Sequence, residues 1–569
     1  MGVNGMHGGY TRWLLVLALA CLCRAAAAAG AAAAAGAPAA TPGMQTAYIR
    51  VNAASHDQFA KTIRLACDHG AVLRHRIYPS AAMGLIPAES RYYIAALEGV
   101  LQVFVGPIPE QAVTELPDHE RNLARAYNAV YFPKSRLSDG AFTDEQISLA
   151  EAGTAIDPGP LEIPEEYLKE LSGAAGDARA VATVRPPTSE FMLGHVAVGV
   201  IMPESDGVGT HDWTDSEEAA VVEEVLSAMN YWAEYAPGNE LYFSYEINYR
   251  VPIRIEPLDR GGWAIEDKWA AMSLSQLGFE GVNYFGQAYS YVDALREGFD
   301  SDWGFLIFIL HGFENQSLGS MLAYSYLGGP FNVNVSSNGS LGTENLDRVI
   351  AHETGHTFYT LDEYQSSPHD CSVRSGYLDV ENANKVSGGS ACKLSIPCIM
   401  RGADASMGIE DLPPCLYTRG QVGWWDGDGD GIPDVLDTEP TIESLALDLA
   451  ESGAVMQGDT LYSTVAVLKG TAASVPFTNM NAFSEVNPRD VTIEPVEAQY
   501  RVDGGEWALC DPEDGRFDDP REGFAVVTRE LAPWSWHTVE VRGVTAHGNV
   551  TPDSLAASIQ FFAVPSQGR

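Results

Sequence analysis

The sequence is poor in positive charge. Its 569 residues include 34 lysines and arginines against 76 aspartates and glutamates, a formal charge of −42. Recognition of nucleic acid or anionic lipid rests on Lys and Arg patches, so neither partner is expected. No apolar run beyond the first residues is long enough to cross a bilayer, and no transmembrane span is expected. Cysteines number only eight, and none has the CxxC spacing of zinc modules. A GxSxG string and a catalytic-cysteine signature are both missing, which leaves serine or cysteine hydrolysis unsupported. Apolar side chains are not scarce: 46% of residues are hydrophobic and 10% aromatic, which excludes general disorder. The chain is too long for one ordinary core and predicts roughly three or four folded units. Most of the acids read as solvated surface, and the remainder are candidates for cation ligands.

Arg12 precedes the apolar run Trp13–Ala20, which is followed by Cys21, Cys23 and an alanine-rich stretch. Residues 1–43 are therefore expected to be a signal peptide and linker, cleaved between Ala25 and Ala40. A secreted, extracellular protein is expected. Periplasmic retention and lipid anchoring at Cys21 are the alternatives, although Ala18-Leu19-Ala20-Cys21 fits a lipoprotein box poorly. Export implies an oxidising compartment. Four of the remaining cysteines, Cys371, Cys392, Cys398 and Cys415, fall in one loop-rich stretch. Two disulfides are expected there, taken as Cys371–Cys392 and Cys398–Cys415, with a structural zinc site as the alternative.

Residues 44–110 read as strand, helix, strand, helix and strand, with strands at Tyr48–Val51, Gly70–Leu73 and Leu101–Val105 and a helix at Tyr92–Leu97. The order suggests a ferredoxin-like domain and resembles the propeptide/inhibitor domain ahead of subtilisin-type proteases. Residues 111–188, rich in Pro, Glu and Gly around Asp157–Glu166 and ending near Arg185-Pro186-Pro187, read as a connector. A second domain, 189–425, opens on the apolar strand His195–Ile201. Thr214-Asp215-Ser216-Glu217 then caps a helix whose stripe Val221, Val222, Val225, Met229 and Trp232 reads as core. Leu241 to Val251 alternates as a half-buried strand, Phe305–Leu310 is a central strand, and Leu322–Ser325 and Phe331–Val335 are shorter ones. A mixed sheet backed by helices follows from that order.

The next helix carries Ala351-His352-Glu353-Thr354-Gly355-His356-Thr357. Two histidines one turn apart leave the same helix face and can grip one tetrahedral ion. Glu353 is placed to reach a water on that ion, which zinc would acidify to a pKa of ~7, and to take its proton during attack on a carbonyl. Asp362, six residues after His356, and its neighbour Glu363 are the candidates for a third ligand, with Asp362 favoured. Zinc is the cofactor this chemistry implies. His195, His211, His311 and His369 are scattered and read as surface or core residues.

His352–Tyr364 resembles the HExxHxxGxxD form of the metzincin zinc-peptidase signature, and its ending resembles the family of the bacterial immunoglobulin-A-cleaving metallopeptidase. Ala323–Gly329 is similar to the metzincin edge strand that pairs with extended substrate. Cys398-Ile399-Met400-Arg401 is similar to the Met-turn, which would put Met400 under the metal. The resemblance implies a peptidase acting on a protein or peptide, with Tyr364 and Tyr417 as candidates for a transition-state tyrosine. One position departs from it: the signature glycine is Tyr359. Tyrosine bears a left-handed backbone poorly, so the helix is expected to run further.

After Trp425, Asp426, Asp428, Asp430, Asp434 and Asp437 occupy positions one, three, five, nine and twelve of a loop with Gly431 at six. That is calcium-loop spacing, and residues 426–440 resemble a thrombospondin type 3 repeat. Residues 441–569 break into short strands and turns, including a hairpin over Tyr500–Trp507 with Asp503-Gly504 as its turn. They resemble an immunoglobulin or fibronectin III β-sandwich, read as a surface- or glycan-contact module or as a spacer. The expected fold is thus multidomain α+β: a ferredoxin-like propeptide-type domain, a metzincin-like mixed sheet with helices, and a β-sandwich. The expected function is a secreted zinc endopeptidase with Glu353 as general base. The alternative is a non-catalytic, calcium-stabilised surface or adhesion protein on a peptidase-like scaffold.

Overall fold

The computed structural model describes residues 43–133, 189–206, 211–258, 262–312, 322–338, 341–387, 390–401, 407–484 and 489–565. The expected signal peptide and most of the expected connector, from 134 to 188, lie outside the described residues. Residues 46–569 form one compact unit; the unit before it, Met1–Gln45, is described only at 43–45.

The main element is a nine-stranded sheet of order β4-β1-β3-β2-β6-β5-β7-β9-β8. Its strands are β1 (Met44–Val51), β2 (Val72–Ile77), β3 (Ala81–Pro87), β4 (Val100–Val105), β5 (Gly194–Ser205), β6 (Leu241–Ile253), β7 (Trp303–Leu310), β8 (Ala323–Ser325) and β9 (Phe331–Val335). At its centre, β5 pairs in parallel with β6 and β7, and β7 in parallel with β9. All eight residues of β7 are buried. An apolar run without alternation is what a strand covered on both faces requires. β8 is antiparallel to β9 and ends the sheet.

The expected boundary between residues 44–110 and the following domain is not a break in the sheet. β1 to β4 have the helix-containing order β-α-β-β-α-β and the spatial order 4-1-3-2. β2, however, continues directly into β6 through parallel pairs such as His75↔Phe243 and Ile77↔Tyr245. The seam is also tied by polar side chains: buried His75 lies 2.8 Å from the Tyr245 hydroxyl, and Arg74 donates to Asn239 Oδ1 at 3.2 Å. A helix at Asp118–Tyr131, inside the expected connector, packs its Leu123, Ala124 and Tyr127 into the same core as the helix Asp215–Tyr235. Periodicity within each segment predicts its elements; the pairing of strands about 170 residues apart has no local signal.

The helix Asp215–Tyr235 starts at the expected capping box. The Glu217 amide donates to Thr214 Oγ1, and the Thr214 amide donates to Glu217 Oε2. Its apolar stripe is buried. This helix supports the motif helix, Leu346–Thr357: the Trp232 indole N–H donates to the Ala351 carbonyl at 3.0 Å, and Ser227 to Asp347 at 2.8 Å.

At the C-terminal end, a four-stranded and a six-stranded sheet enclose a separate core that includes Leu468, Val496, Phe524, Val541 and Phe561. The expected hairpin turn is present. Asp503 and Gly504 both have positive φ, 52° and 70°, as a type I′ turn demands. The architecture as a whole is multidomain α+β.

Candidate metal centre

The motif helix ends at Thr357, and the chain turns at Tyr359, not beyond it. Tyr359 has φ +65°, the left-handed conformation expected only of glycine at this position. A non-glycine residue there costs about 1–2 kcal/mol. The expected extension of the helix is therefore corrected. The turn is closed by hydrogen bonds donated by the Tyr359 amide to the His356 carbonyl and by the Thr360 amide to the Gly355 carbonyl. The tyrosine ring lies where Gly328 leaves space: a Cβ on Gly328 would stand 2.5 Å from the ring. Packing of that ring offsets the backbone strain.

That turn returns the chain to the helix face. His352 Nε2 and His356 Nε2 stand 3.2 Å apart, and Asp362 Oδ1 lies 3.0 and 3.3 Å from them. Each Nδ1 faces a backbone carbonyl, Ile399 O at 2.9 Å for His352 and Thr360 O at 2.8 Å for His356. A carbonyl only accepts, so both Nδ1 atoms carry the proton and both Nε2 atoms present lone pairs. Two imidazole lone pairs and a carboxylate oxygen thus converge without a hydrogen between them. Neither Asp362 oxygen is donated a hydrogen bond, although the residue is fully buried. Such an arrangement is costly in an apolar interior unless a cation fills it. Ligands at zinc distances on a tetrahedron are about 3.3 Å apart, so the three atoms fit one face of a zinc site. Burial raises the Asp362 carboxyl, and only positive charge facing it, on protonated imidazoles or on a cation in their place, outweighs burial and holds it below the ordinary range.

Glu363, the other candidate for the third ligand, points away. One oxygen accepts from Asn384 Nδ2 at 2.6 Å; the other lies 2.9 Å from Cys415 Sγ and 3.2 Å from Thr418 Oγ1. Burial pushes its carboxyl well above the usual range. Glu353 is buried one residue past His352. Access to the three ligand atoms is from the side of His352, whose side chain is 12% exposed against 1% for His356 and 0% for Asp362. The Tyr364 ring lies near parallel to the His352 ring, at 6.3 Å between centroids and 24° between planes. The electrostatic neighbours of Tyr417 are Glu381, Lys393 and Cys415, and His352, His356 and Asp362 are not among them.

Met400 is fully buried directly beneath the helix. Its thioether would be 2.9 Å from a Cβ on Gly355, and it accepts from Thr360 Oγ1 at 3.4 Å. The Met400 carbonyl accepts from the Glu363 amide at 2.8 Å. Of the expected disulfides, Cys371–Cys392 is formed and Cys398–Cys415 is not. The latter two are buried free thiols, with the Cys415 amide donating to Cys398 Sγ at 3.3 Å and both sulfurs near Thr418 Oγ1. Cys415 spends its thiol contact on Glu363, a partner that the cysteine spacing gives no means of foreseeing. The scattered histidines have other partners: His195 meets Ser244, His311 meets Glu217, and His369 packs on Phe483.

In the acidic loop, carboxylate oxygens of Asp426, Asp428 and Asp430 lie within 4.8 Å of one another. Asp434 accepts from the Gly427 amide at 2.7 Å, and burial followed by the charges of Asp426, Asp437 and Asp428 pushes its carboxyl up. Asp437 accepts instead from Asn549 Nδ2 at 2.9 Å, which ties the loop to the C-terminal sheets.

Edge strand β8 lies beside this centre with all three residues buried. The Tyr324 hydroxyl donates to buried Glu266, which also accepts from Tyr284 and Tyr326 at 2.7 Å each. The sequence offers no sign of this anchor, since its members are spread from 266 to 326.

No family profile matches the chain, and no curated protein does. A solved structure of astrotactin-2, described as a conserved vertebrate-specific and perforin-like membrane protein involved in neuronal development, is similar at 15% identity over 24% of each chain. The shared part is about a quarter of either protein, and at a TM-score of 0.16 it bears on neither fold nor function. No helix among the described residues is long and apolar enough to cross a membrane.

Proposed function

We propose that the chain is a zinc-dependent endopeptidase of metzincin-like architecture. The observation that carries this reading is the convergence of His352 Nε2, His356 Nε2 and Asp362 Oδ1 at 3.0–3.3 Å with both Nδ1 protons committed to carbonyls. The fixed tautomers and the buried carboxylate suit zinc, which when bound supplies Lewis-acid polarisation of a water and of the scissile carbonyl. Glu353 takes the proton of the attacking water and returns it to the leaving amine. Met400 supports the floor of the site. In this reading β8, which pairs with no strand on its outer side among the described residues, is the strand an extended peptide would join. Its residues are covered in this structure, so that pairing requires the outer edge to be uncovered, while the Glu266 anchor holds the strand in place.

The finer assignments belong to the same reading. The order 4-1-3-2 of β1 to β4 fits a ferredoxin-like unit, and the two C-terminal sheets fit an immunoglobulin or fibronectin III module. The acidic loop is proposed to hold calcium as a thrombospondin type 3-like repeat, which favours an extracellular location.

Zinc content and cleavage of casein or peptides by the purified chain test the proposal. One zinc per chain is expected, with activity lost in Glu353→Gln while zinc is retained. Activity that survives Glu353→Gln would remove that residue from its role. A native chain that holds no zinc and cleaves nothing would leave the calcium-stabilised surface-protein alternative.

A further inference from the structure

The strands Val467–Ala473 and Val496–Val502 belong to the two C-terminal sheets, yet the described residues between them, 474–484 and 489–495, leave those sheets and lie on the proposed peptidase part. Buried Tyr377 holds it at three points. Its hydroxyl donates to the Phe477 carbonyl at 2.6 Å and accepts from the Val491 amide at 2.9 Å, and its carbonyl accepts from the Met480 amide at 2.9 Å. Asn479 Nδ2 donates to buried Glu190 at 3.0 Å. Two Asn side chains stiffen the bend: Asn479 Oδ1 accepts from the Asn481 amide and Asn481 Oδ1 from the Phe483 amide. Phe477, Val491 and Ile493 pack against the catalytic core.

The tip of this arm meets one residue that matters. Phe483 packs in a small cluster with Leu327, Tyr359, Leu361 and Val373, and the Ser484 side chain hydrogen-bonds the Tyr359 hydroxyl. Tyr359 is the residue at φ +65°, placed between the second histidine and the third ligand. The next residue, Thr360, supplies the carbonyl that orients His356, and Asp362 follows two residues later. A large side chain in a left-handed conformation persists only where its surroundings hold it.

We infer that the arm formed by residues 474–484 and 489–493 is a positioning element for the metal centre: Phe483 and Ser484 hold the Tyr359 ring, and through it the Thr360 carbonyl and Asp362. It rests on the zinc reading above and deepens it. The C-terminal sheets then have a task that neither a spacer nor a glycan-binding module requires.

The test uses the full chain with cobalt(II) as a visible probe of tetrahedral ligation, together with zinc affinity by chelator competition. Phe483→Ala and Tyr359→Gly should each weaken metal binding by about tenfold or more, the scale on which supporting contacts act on a bound metal, and should alter the cobalt spectrum. Tyr359→Phe, which keeps the ring in place, should stay within about threefold of wild type, a loss smaller than that scale. Tyr359→Gly is decisive because glycine accepts the backbone angle freely. If it binds metal like wild type, the turn alone suffices and the inference is overturned. Phe483→Leu replaces Phe483→Ala if the latter does not fold, with the same expected direction. A wild-type chain that takes up no cobalt overturns the zinc reading and this one with it; a binding wild type with either Tyr359→Gly or the Phe483 variant unchanged overturns this one alone.

Discussion

Asp362 and Glu363 are adjacent carboxylates with opposite fates. The turn at Tyr359 sends one side chain to the two imidazoles and the other to Asn384 and Cys415. Asp362→Asn should therefore weaken zinc binding by more than the roughly 10–100-fold that loss of an outer contact costs, whereas Glu363→Gln should stay within that range. Chelator competition separates the two, and equal losses would mean that the assignment of the third ligand is wrong. A second residue-scale effect concerns Glu190, which burial pushes up to about 8 against an ordinary value of 4.5, despite the opposing Asn479 bond. An acid raised by folding contributes its full stability below about pH 4.5, where folded and unfolded chains both hold the proton. That contribution declines as pH rises and is gone above about 8. At most it amounts to a few kcal/mol, since each tenfold change in acidity is worth about 1.4 kcal/mol. Tm should accordingly fall between about pH 5 and 9, and Glu190→Gln, which still accepts from Asn479, should flatten that part of the profile.

At the scale of elements, the motif helix works as a unit with the short Met400 segment beneath it. Gly355 makes that approach possible: a Cβ there would lie 2.6 Å from Thr360 Oγ1 and 2.9 Å from Met400 Sδ. Gly355→Ala improves helix propensity in isolation, yet it must displace the floor, and overpacking of this kind costs about 1–3 kcal/mol. A lower Tm together with weaker zinc binding is expected; a stabilised protein would show that Met400 yields freely. The helix and the convergence of His352, His356 and Asp362 are legible in the sequence because these residues lie within one helix and one turn, so spacing alone brings them together. The Cys371–Cys392 bridge closes a loop of similar locality, and the Asp503-Gly504 turn announces itself by residue type. The remaining features depend on distant partners. Cys415 takes Glu363 as its neighbour in place of a bridge to Cys398, and Tyr359 tolerates its backbone because of Gly328 and Phe483. The small N-terminal unit joins the central sheet through the pairing of β2 with β6. None of these has a periodic or compositional trace in its own segment.

At the scale of the whole molecule, the C-terminal sheets are held to the rest of the chain by the acidic loop from Asp426 to Asp437, by the arm residues 474–484 and 489–493, and by side-chain contacts such as Arg516 with Asp68 at 2.9 Å and His547 with Glu240 at 3.8 Å. The loop is anchored at both ends, by the Trp424 indole donating to the Met192 carbonyl at 2.6 Å and by Asn549 donating to Asp437. Between the anchors, Asp426, Asp428 and Asp430 crowd like charges together with no basic side chain among their hydrogen-bond partners. In a chain already at −42, that repulsion is local and adds to a general one, and bound calcium would relieve it. A cation that binds only the folded loop stabilises it by about 2.7 kcal/mol at a hundredfold excess over Kd. Calorimetry of the full chain should therefore depend on calcium. With calcium present, the C-terminal sheets and the rest of the chain should unfold in one transition, since the calcium-filled loop and the arm act together. With a calcium chelator that spares zinc, the C-terminal sheets should melt separately and earlier by several degrees. Asp426→Ala should reproduce the chelated profile with calcium in solution, because it removes the carboxylate on which the Gly429 and Gly431 amides converge. A single transition unmoved by chelation and by Asp426→Ala would assign the joint to the arm and the side-chain contacts and leave the acidic loop as solvated charge.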